Sequence, residues 1–207
     1  METLRSPIID WGVAARPLAG QERSGDAYIV REWGNRALAS AIDGLGHGAD
    51  AAEVARIAVD TLTDTSVESA DVVSLMKRCH EALLRTRGVV LSLAVFDATE
   101  QTLTWLGIGN VDGILFRADH RGGQASESLL QRGGVVGYQL PPLRPSTIPV
   151  YRGDLLIFST DGILSGFGKD VNPEDPPQQI ADRIIARYSR ETDDALVLAA
   201  RYVYGAL

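Results

Sequence analysis

D-A-Y-I-V-R-E-W-G-N-R-A-L-A-S-A-I-D-G-L-G-H-G, residues 26–48, is the stretch on which the fold turns. The Gly34-Asn35 pair joins two apolar-rich runs, Asp26 to Trp33 and Arg36 to Ile42, as a compact β-hairpin. One aspartate opens the first strand and another closes the second, so antiparallel pairing brings Asp26 and Asp43 to the same sheet edge. Gly44, Gly46 and Gly48 follow and let backbone come close to whatever Asp43 binds. The Gly44 carbonyl adds an oxygen suited to a hard cation.

The pattern recurs downstream. L-L-I-F-S-T-D-G, residues 155–162, echoes A-L-A-S-A-I-D-G, residues 37–44: an apolar strand that runs into Asp-Gly. In E-T-D-D-A-L, residues 191–196, the acidic pair Asp193-Asp194 opens a last strand. Asp-Gly alone is an ordinary turn signal. Four strand-end aspartates are more informative, because carboxylates gathered in one place repel one another unless a cation neutralises them. Oxygen-rich clusters of this kind bind hard divalent ions. His47 has two readings, a hydrogen-bond partner for a phosphate or leaving group and a solvated loop histidine.

Working outward from the hairpin, Ile8 to Leu18 reads as a preceding strand. Asp50 and Glu53 form a D-x-x-E variant of the capping box, opening a helix that carries Val54, Ala55, Ala58, Val59 and Leu62 at helical spacing. A second helix starts near Asp71, aligns Val72, Met76, Cys79 and Leu83, and ends at Arg87-Gly88. Val89 to Phe96 and Thr102 to Ile108 form a second hairpin, and Val111 to Arg117 continues the meander. Residues 118–126 are a surface loop, and Gly133 to Pro145 is an irregular connection able to line a site mouth. Asp154 to Thr160 is a strand, Ile180, Ile184 and Tyr188 mark a final helix, and Ala195 to Tyr204 is the last strand. Antiparallel hairpins with separate helices predict an α+β fold, with residues 1–207 forming one domain.

Composition narrows the function classes. Apolar residues make up 45% and charged residues 23% of the 207, an ordinary globular balance. The 27 Asp+Glu against 20 Lys+Arg give a net charge of -7, with no basic run to track a phosphate backbone, so nucleic acid is not an expected partner. The opening M-E-T-L-R-S-P-I-I-D lacks the pattern of a secretory signal. Val89 to Phe96 is far shorter than the roughly 20 apolar residues of a bilayer-spanning helix, so no membrane association is expected. Cys79 is the single cysteine, which excludes an internal disulfide and fits a cytoplasmic protein.

Other chemistries fail on local grounds. Cys79 and Arg85 have the C-x5-R spacing of a cysteine-dependent phosphatase loop, but H-E-A-L-L between them continues a helix and cannot turn several N–H groups onto a phosphate. No G-x-x-x-x-G-K-[ST] loop is present, G-I-G-N at 107–110 is too short for a dinucleotide fingerprint, and G-I-L-S-G at 162–166 is not G-x-S-x-G.

Taken in order, G-D-A-Y, D-G-L-G-H-G, S-T-D-G and T-D-D-A-L resemble the metal-dependent PPM, or type 2C, protein phosphatases, within them the small bacterial stress phosphatases of the SpoIIE and RsbX group. The resemblance runs from residue 24 to residue 198. It implies a four-layer αββα sandwich, the helix pair outside one sheet and the C-terminal helix outside the other. It implies hydrolysis of phosphoserine or phosphothreonine in a protein with two Mn2+ or Mg2+ ions. Asp43 would bridge the ions, the Gly44 carbonyl would bind one, and Asp161 and Asp193 would complete the other's shell. Asp26 would orient the attacking water, with His47 as a further catalytic candidate, Asp194 at a neighbouring polar position, and Arg16 and Arg23 as candidates for holding phosphate. The implied substrates are phosphorylated STAS-domain proteins of the stressosome scaffold, dephosphorylated by a monomer to reset a general stress response. The alternatives are a phosphatase of an anti-anti-sigma factor and a non-catalytic phosphoprotein-binding module on the same fold.

Overall fold

Two antiparallel sheets face each other in the computed structural model, which describes residues 7–64, 71–118 and 125–205. One sheet has the order β2 (Asp26–Trp33), β3 (Arg36–Gly44), β4 (Val89–Asp97), β5 (Thr102–Ile108) and β8 (Ser146–Pro149). The other has β1 (Ile9–Arg16), β10 (Ala195–Tyr202), β9 (Leu155–Ser159), β6 (Asp112–Phe116) and β7 (Ser126–Ser128). Helices α1 (Ala49–Thr63) and α2 (Val72–Ala82) cover the first sheet, and α3 (Pro177–Tyr188) packs on β1 and β10 of the second. This is the four-layer α+β sandwich.

Strand β3 shows why the layers form. Its side chains alternate between faces, so Ala37, Ala39 and Ala41 enter the core between the sheets while Leu38 and Ile42 enter the core under α1 and α2. The inter-sheet core is completed by Phe96, Leu103, Leu156, Phe158 and Leu198, and a third core joins Leu155, Ile157 and Val197 to Ile180 and Ile184 of α3. Each large aliphatic side chain buried this way stabilises the fold by about 1.5–3 kcal/mol relative to exposure. Buried Ser40 and Ser92 are satisfied by donating to the carbonyls of Ser92 and Val111, at 2.9 and 2.6 Å.

Several elements depart from the sequence expectation. Helix α1 is capped by Gly48, with φ 73° and no side-chain cap bond, rather than by Asp50 and Glu53. Those acids are turned to arginines instead, Asp50 to Arg87 and Glu53 to Arg56. Helix α2 starts as expected, Asp71 accepting from the Ser74 N–H, but stops at Ala82, and Arg85 adopts a left-handed φ of 67° well before Gly88. Strand β6 does not extend the meander. Gly109, at φ 97°, has no room for a Cβ, which would lie 2.2 Å from Val90, and the chain swings there to the opposite sheet. Strand β3 continues through Asp43 into Gly44 rather than ending at Ile42. Residues 133–145 carry only isolated bridges, as an irregular connection should, and most of the 118–126 loop lies outside the described residues. Among the described residues no helix is long and apolar enough to cross a membrane.

Candidate active site

Asp26 and Asp43 are direct cross-strand partners, the first residue of β2 opposite the penultimate residue of β3. Like charges so placed repel, a cost borne in an ordinary sheet only for a reason. Burial and then the neighbouring acids raise the Asp43 carboxyl from the usual range to about 8. Burial raises Asp26 to about 7, against the lowering effect of a hydrogen bond from Thr160. Asp194, Asp161 and Asp193 add to both shifts, so the five acids from opposite sheets form one electrostatic group.

Asp161 follows the end of β9, and Asp193 lies just before β10, its antiparallel neighbour. The Asn110 side chain donates to Asp161 Oδ2 at 2.7 Å. Asp193 Oδ1 accepts from the Asp194 N–H at 2.9 Å, and burial followed by the Asp161 charge holds its carboxyl above the usual range. A cleft of about 390 Å³ opens over these groups, lined by Asp43, His47, Asn110, Val135, Asp161 and Asp193. Asp26 lies outside that lining, beside Asp43, with Oδ2 accepting from the Thr160 hydroxyl at 2.6 Å.

Asp194 is turned away from the cleft. It is 3% exposed, and its two oxygens accept from the backbone N–H groups of Leu18 and Gly25, each at 2.8 Å. It therefore anchors the connection between β1 and β2. Gly44 donates its N–H to the Gly25 carbonyl at 3.0 Å, and α1 presses so closely that a Cβ on Gly44 would lie 2.2 Å from the Ala51 carbonyl oxygen. Beyond it the Leu45–Gly48 loop is held by Arg87, which donates to the Leu45 carbonyl at 3.1 Å.

Neither arginine singled out for phosphate lines the cleft: Arg16 donates to the Arg190 carbonyl at 2.6 Å, and Arg23 is likewise outside the lining. His47 is exposed on the cleft wall. Sequence reasoning overlooked Asn110 and Thr160. Thr160 precedes Asp161 in S-T-D-G, and Asn110 ends G-I-G-N, so proximity to a motif was the available signal. Cys79 is fully buried in α2 and its thiol is pushed up to about 12 by burial, which removes it as a nucleophile.

Among the described residues no three His, Cys, Asp or Glu side chains stand close enough together to hold an ion as placed. The donor chemistry nevertheless suits one: hard oxygen donors share a cleft, and Asp26 and Asp43 are held toward protonation by burial, with the charges of neighbouring acids adding to it, a cost that a bound cation would relieve. Asn110 on Asp161 and the Asp194 N–H on Asp193 each engage one carboxylate oxygen and leave the other.

The family model described as Stage II sporulation protein E (SpoIIE) matches residues 34–203. The phosphoserine phosphatase RsbX of Bacillus subtilis (strain 168) is 26% identical over 144 residues, 70% of this chain and 69% of that protein. Stage II sporulation protein E of the same organism is 27% identical over 95% of this chain, but the chain spans only 26% of that protein. A structure from work on the bacterial stressosome as a modular system superposes with a TM-score of 0.84 at 27% identity, over 93% of this chain and 99% of that one. The crystal structure of RsbX in complex with magnesium has the same fold, with a TM-score of 0.82 at 21% identity over 95% and 96% of the two chains. The ordered aspartates, the αββα layers and the matched length agree: this chain belongs to the SpoIIE family of PPM-type protein serine/threonine phosphatases.

Proposed function

We propose that this phosphatase domain, taken as residues 1–207, removes phosphate from serine or threonine of phosphorylated STAS-domain scaffold proteins of a stressosome, resetting a general stress response in the cytoplasm. The observation that carries the reading is the shared cleft of Asp43, Asp161, Asp193 and His47. The substrate class is supported by the likeness to RsbX, a phosphoserine phosphatase, and to the stressosome-related structure.

Asp43, Asp161, Asp193 and the Gly44 carbonyl are the residues to hold two divalent ions, Mn2+ or Mg2+. Such ions supply a Lewis acid for the phosphoryl oxygens and lower the pKa of water. The chain's own groups do the rest. The net charge of -7 disfavours approach of a phosphoprotein, so the acids must be neutralised before the cleft accepts its substrate. Asp26, beside Asp43 and fixed through Oδ2, accepts a hydrogen bond from the attacking water through its other oxygen. His47, on the cleft wall, donates to the phosphoryl group or to the departing serine oxygen.

The test is phosphate release from purified phosphorylated STAS-domain proteins, with a phosphorylated anti-anti-sigma factor as the comparison substrate, in Mn2+ or Mg2+. Preferential turnover of the scaffold proteins, abolished by EDTA, supports the assignment. Equal or faster turnover of the anti-anti-sigma factor moves the substrate to that class, and full activity in excess EDTA overturns the metal-dependent site.

A further inference from the structure

We infer that Thr160 is a positioning residue of this reaction: its hydroxyl fixes Asp26 through Oδ2 and leaves Oδ1 as the oxygen that addresses the reacting water. The inference rests on the proposed role of Asp26 and adds the group through which that role is set.

The direction of the hydrogen bonds is forced by counting protons. Thr160 is 1% exposed and stands between the end of β9 and Asp161. Its Oγ1 accepts from the Leu196 N–H at 2.9 Å. A hydroxyl has one proton, and with that N–H directed at the oxygen the proton must leave in another direction. The Leu196 carbonyl lies at 3.5 Å, whereas Asp26 Oδ2 lies at 2.6 Å, so the carboxylate takes it. The result is a relay of fixed polarity from Leu196 N–H through Thr160 O–H to Asp26. It runs from β10 in one sheet to the first residue of β2 in the other.

Oδ2 is thereby committed as an acceptor. Oδ1 has no hydrogen-bond donor among the described residues and is left as the oxygen open to a water. The hydroxyl matters beyond packing: valine would fill the same space while leaving both the Leu196 N–H and Oδ2 without their partner. An inter-sheet strut would serve stability alone, so the test must separate holding the sheets together from aiming Asp26.

The experiment is a double-mutant cycle with Mn2+-supported hydrolysis of an aryl phosphate and of a phosphoprotein, using T160V, T160S, D26N and T160V/D26N. We expect T160V to lower kcat about tenfold with little change in KM, the scale of losing a charge-assisted hydrogen bond. T160S should restore turnover, and T160V should add little in the D26N background. Should the valine variant not fold, T160A removes the same hydroxyl without crowding and takes its place in the cycle. Impaired D26N with unimpaired T160V, or a full additional loss from T160V in the D26N background, overturns the positioning role alone. Wild-type turnover of D26N removes Asp26 from the reaction and this inference with it.

Discussion

Replacing Gly162 by alanine should damage the site without touching a candidate ligand. A Cβ at residue 162 would lie 1.8 Å from the Asp194 carbonyl oxygen and 3.0 Å from the Ala195 Cα. Both obstacles are backbone, and neither can rotate away. Bringing the first contact to the 3.0 Å that real side chains keep requires a displacement of about 1.2 Å, on the scale of core overpacking that costs about 1–3 kcal/mol. Asp194 resists the movement, because its carboxylate is tied to the Leu18 and Gly25 N–H groups. The displacement therefore separates Asp161, next to Gly162, from Asp193, next to Asp194. A misplacement of about 1 Å at reacting groups can cost about 10²-fold in rate. The assay is Mn2+-supported aryl phosphate turnover beside thermal unfolding, with Gly133→Ala as control, since nothing lies within 4 Å of a Cβ there. Wild-type kcat and midpoint for Gly162→Ala would refute the reasoning.

Three further perturbations test the site. In metal-free protein the Asp26 and Asp43 carboxyls, at about 7 and about 8 against 3.8 unfolded, retain protons that the unfolded chain has lost, so stability should fall as pH rises from 4 to 8. The slope is at most about 1.4 kcal/mol per pH unit for each retained proton, and added Mn2+ should flatten it; a metal-free stability that rises across that range in urea titrations would contradict the sign. Asp43→Asn and Asp161→Asn should each abolish metal-dependent turnover while remaining folded. The Asp43 change should also raise the unfolding midpoint of metal-free protein at pH 8, and a lowered midpoint would mean its charge is not the strained one. Asp194→Ala should instead destabilise the fold by about 3 kcal/mol or more, as two buried hydrogen bonds to a carboxylate are lost, and an unchanged urea midpoint would remove its anchoring role.

What was legible in the sequence was whatever depends on strand periodicity and on residues near one another in the chain. The 26–44 hairpin, with Asp26 set opposite Asp43, follows from alternation around Gly34-Asn35. What depends on contacts between distant segments was not legible. The D-x-x-E signal at Asp50 was outweighed by Arg87, which reaches Asp50 from beyond α2 at 2.6 Å. The meander failed at Gly109, where Val90 leaves no space for a side chain, a fact invisible until β4 is beside it. Asn110 and Thr160 carried no local mark that distinguishes a residue holding an aspartate from one merely next to it.

The two Asp-Gly pairs look like turn signals, yet neither glycine has a left-handed φ. Their shared requirement is the missing Cβ. At Gly44 the space is taken by the Ala51 carbonyl of α1, and at Gly162 by the Asp194 carbonyl at the start of β10. One device thus recurs in both sheets: an aspartate within two residues of a strand end is followed by a glycine that lets a neighbouring carbonyl close in and brace that end. Such bracing is what acids held against their own repulsion require, since a side chain on a loose turn would swing apart to water. Asp193 and Asp194 complete the logic from the other side. Consecutive residues entering a strand point to opposite faces, so Asp193 reaches the cleft while Asp194 turns inward to tie down the β1–β2 connection beside Gly25. Adjacent acids with identical chemistry therefore face different surroundings, the cleft for Asp193 and the β1–β2 connection for Asp194, and a double substitution at 193 and 194 would confound the two.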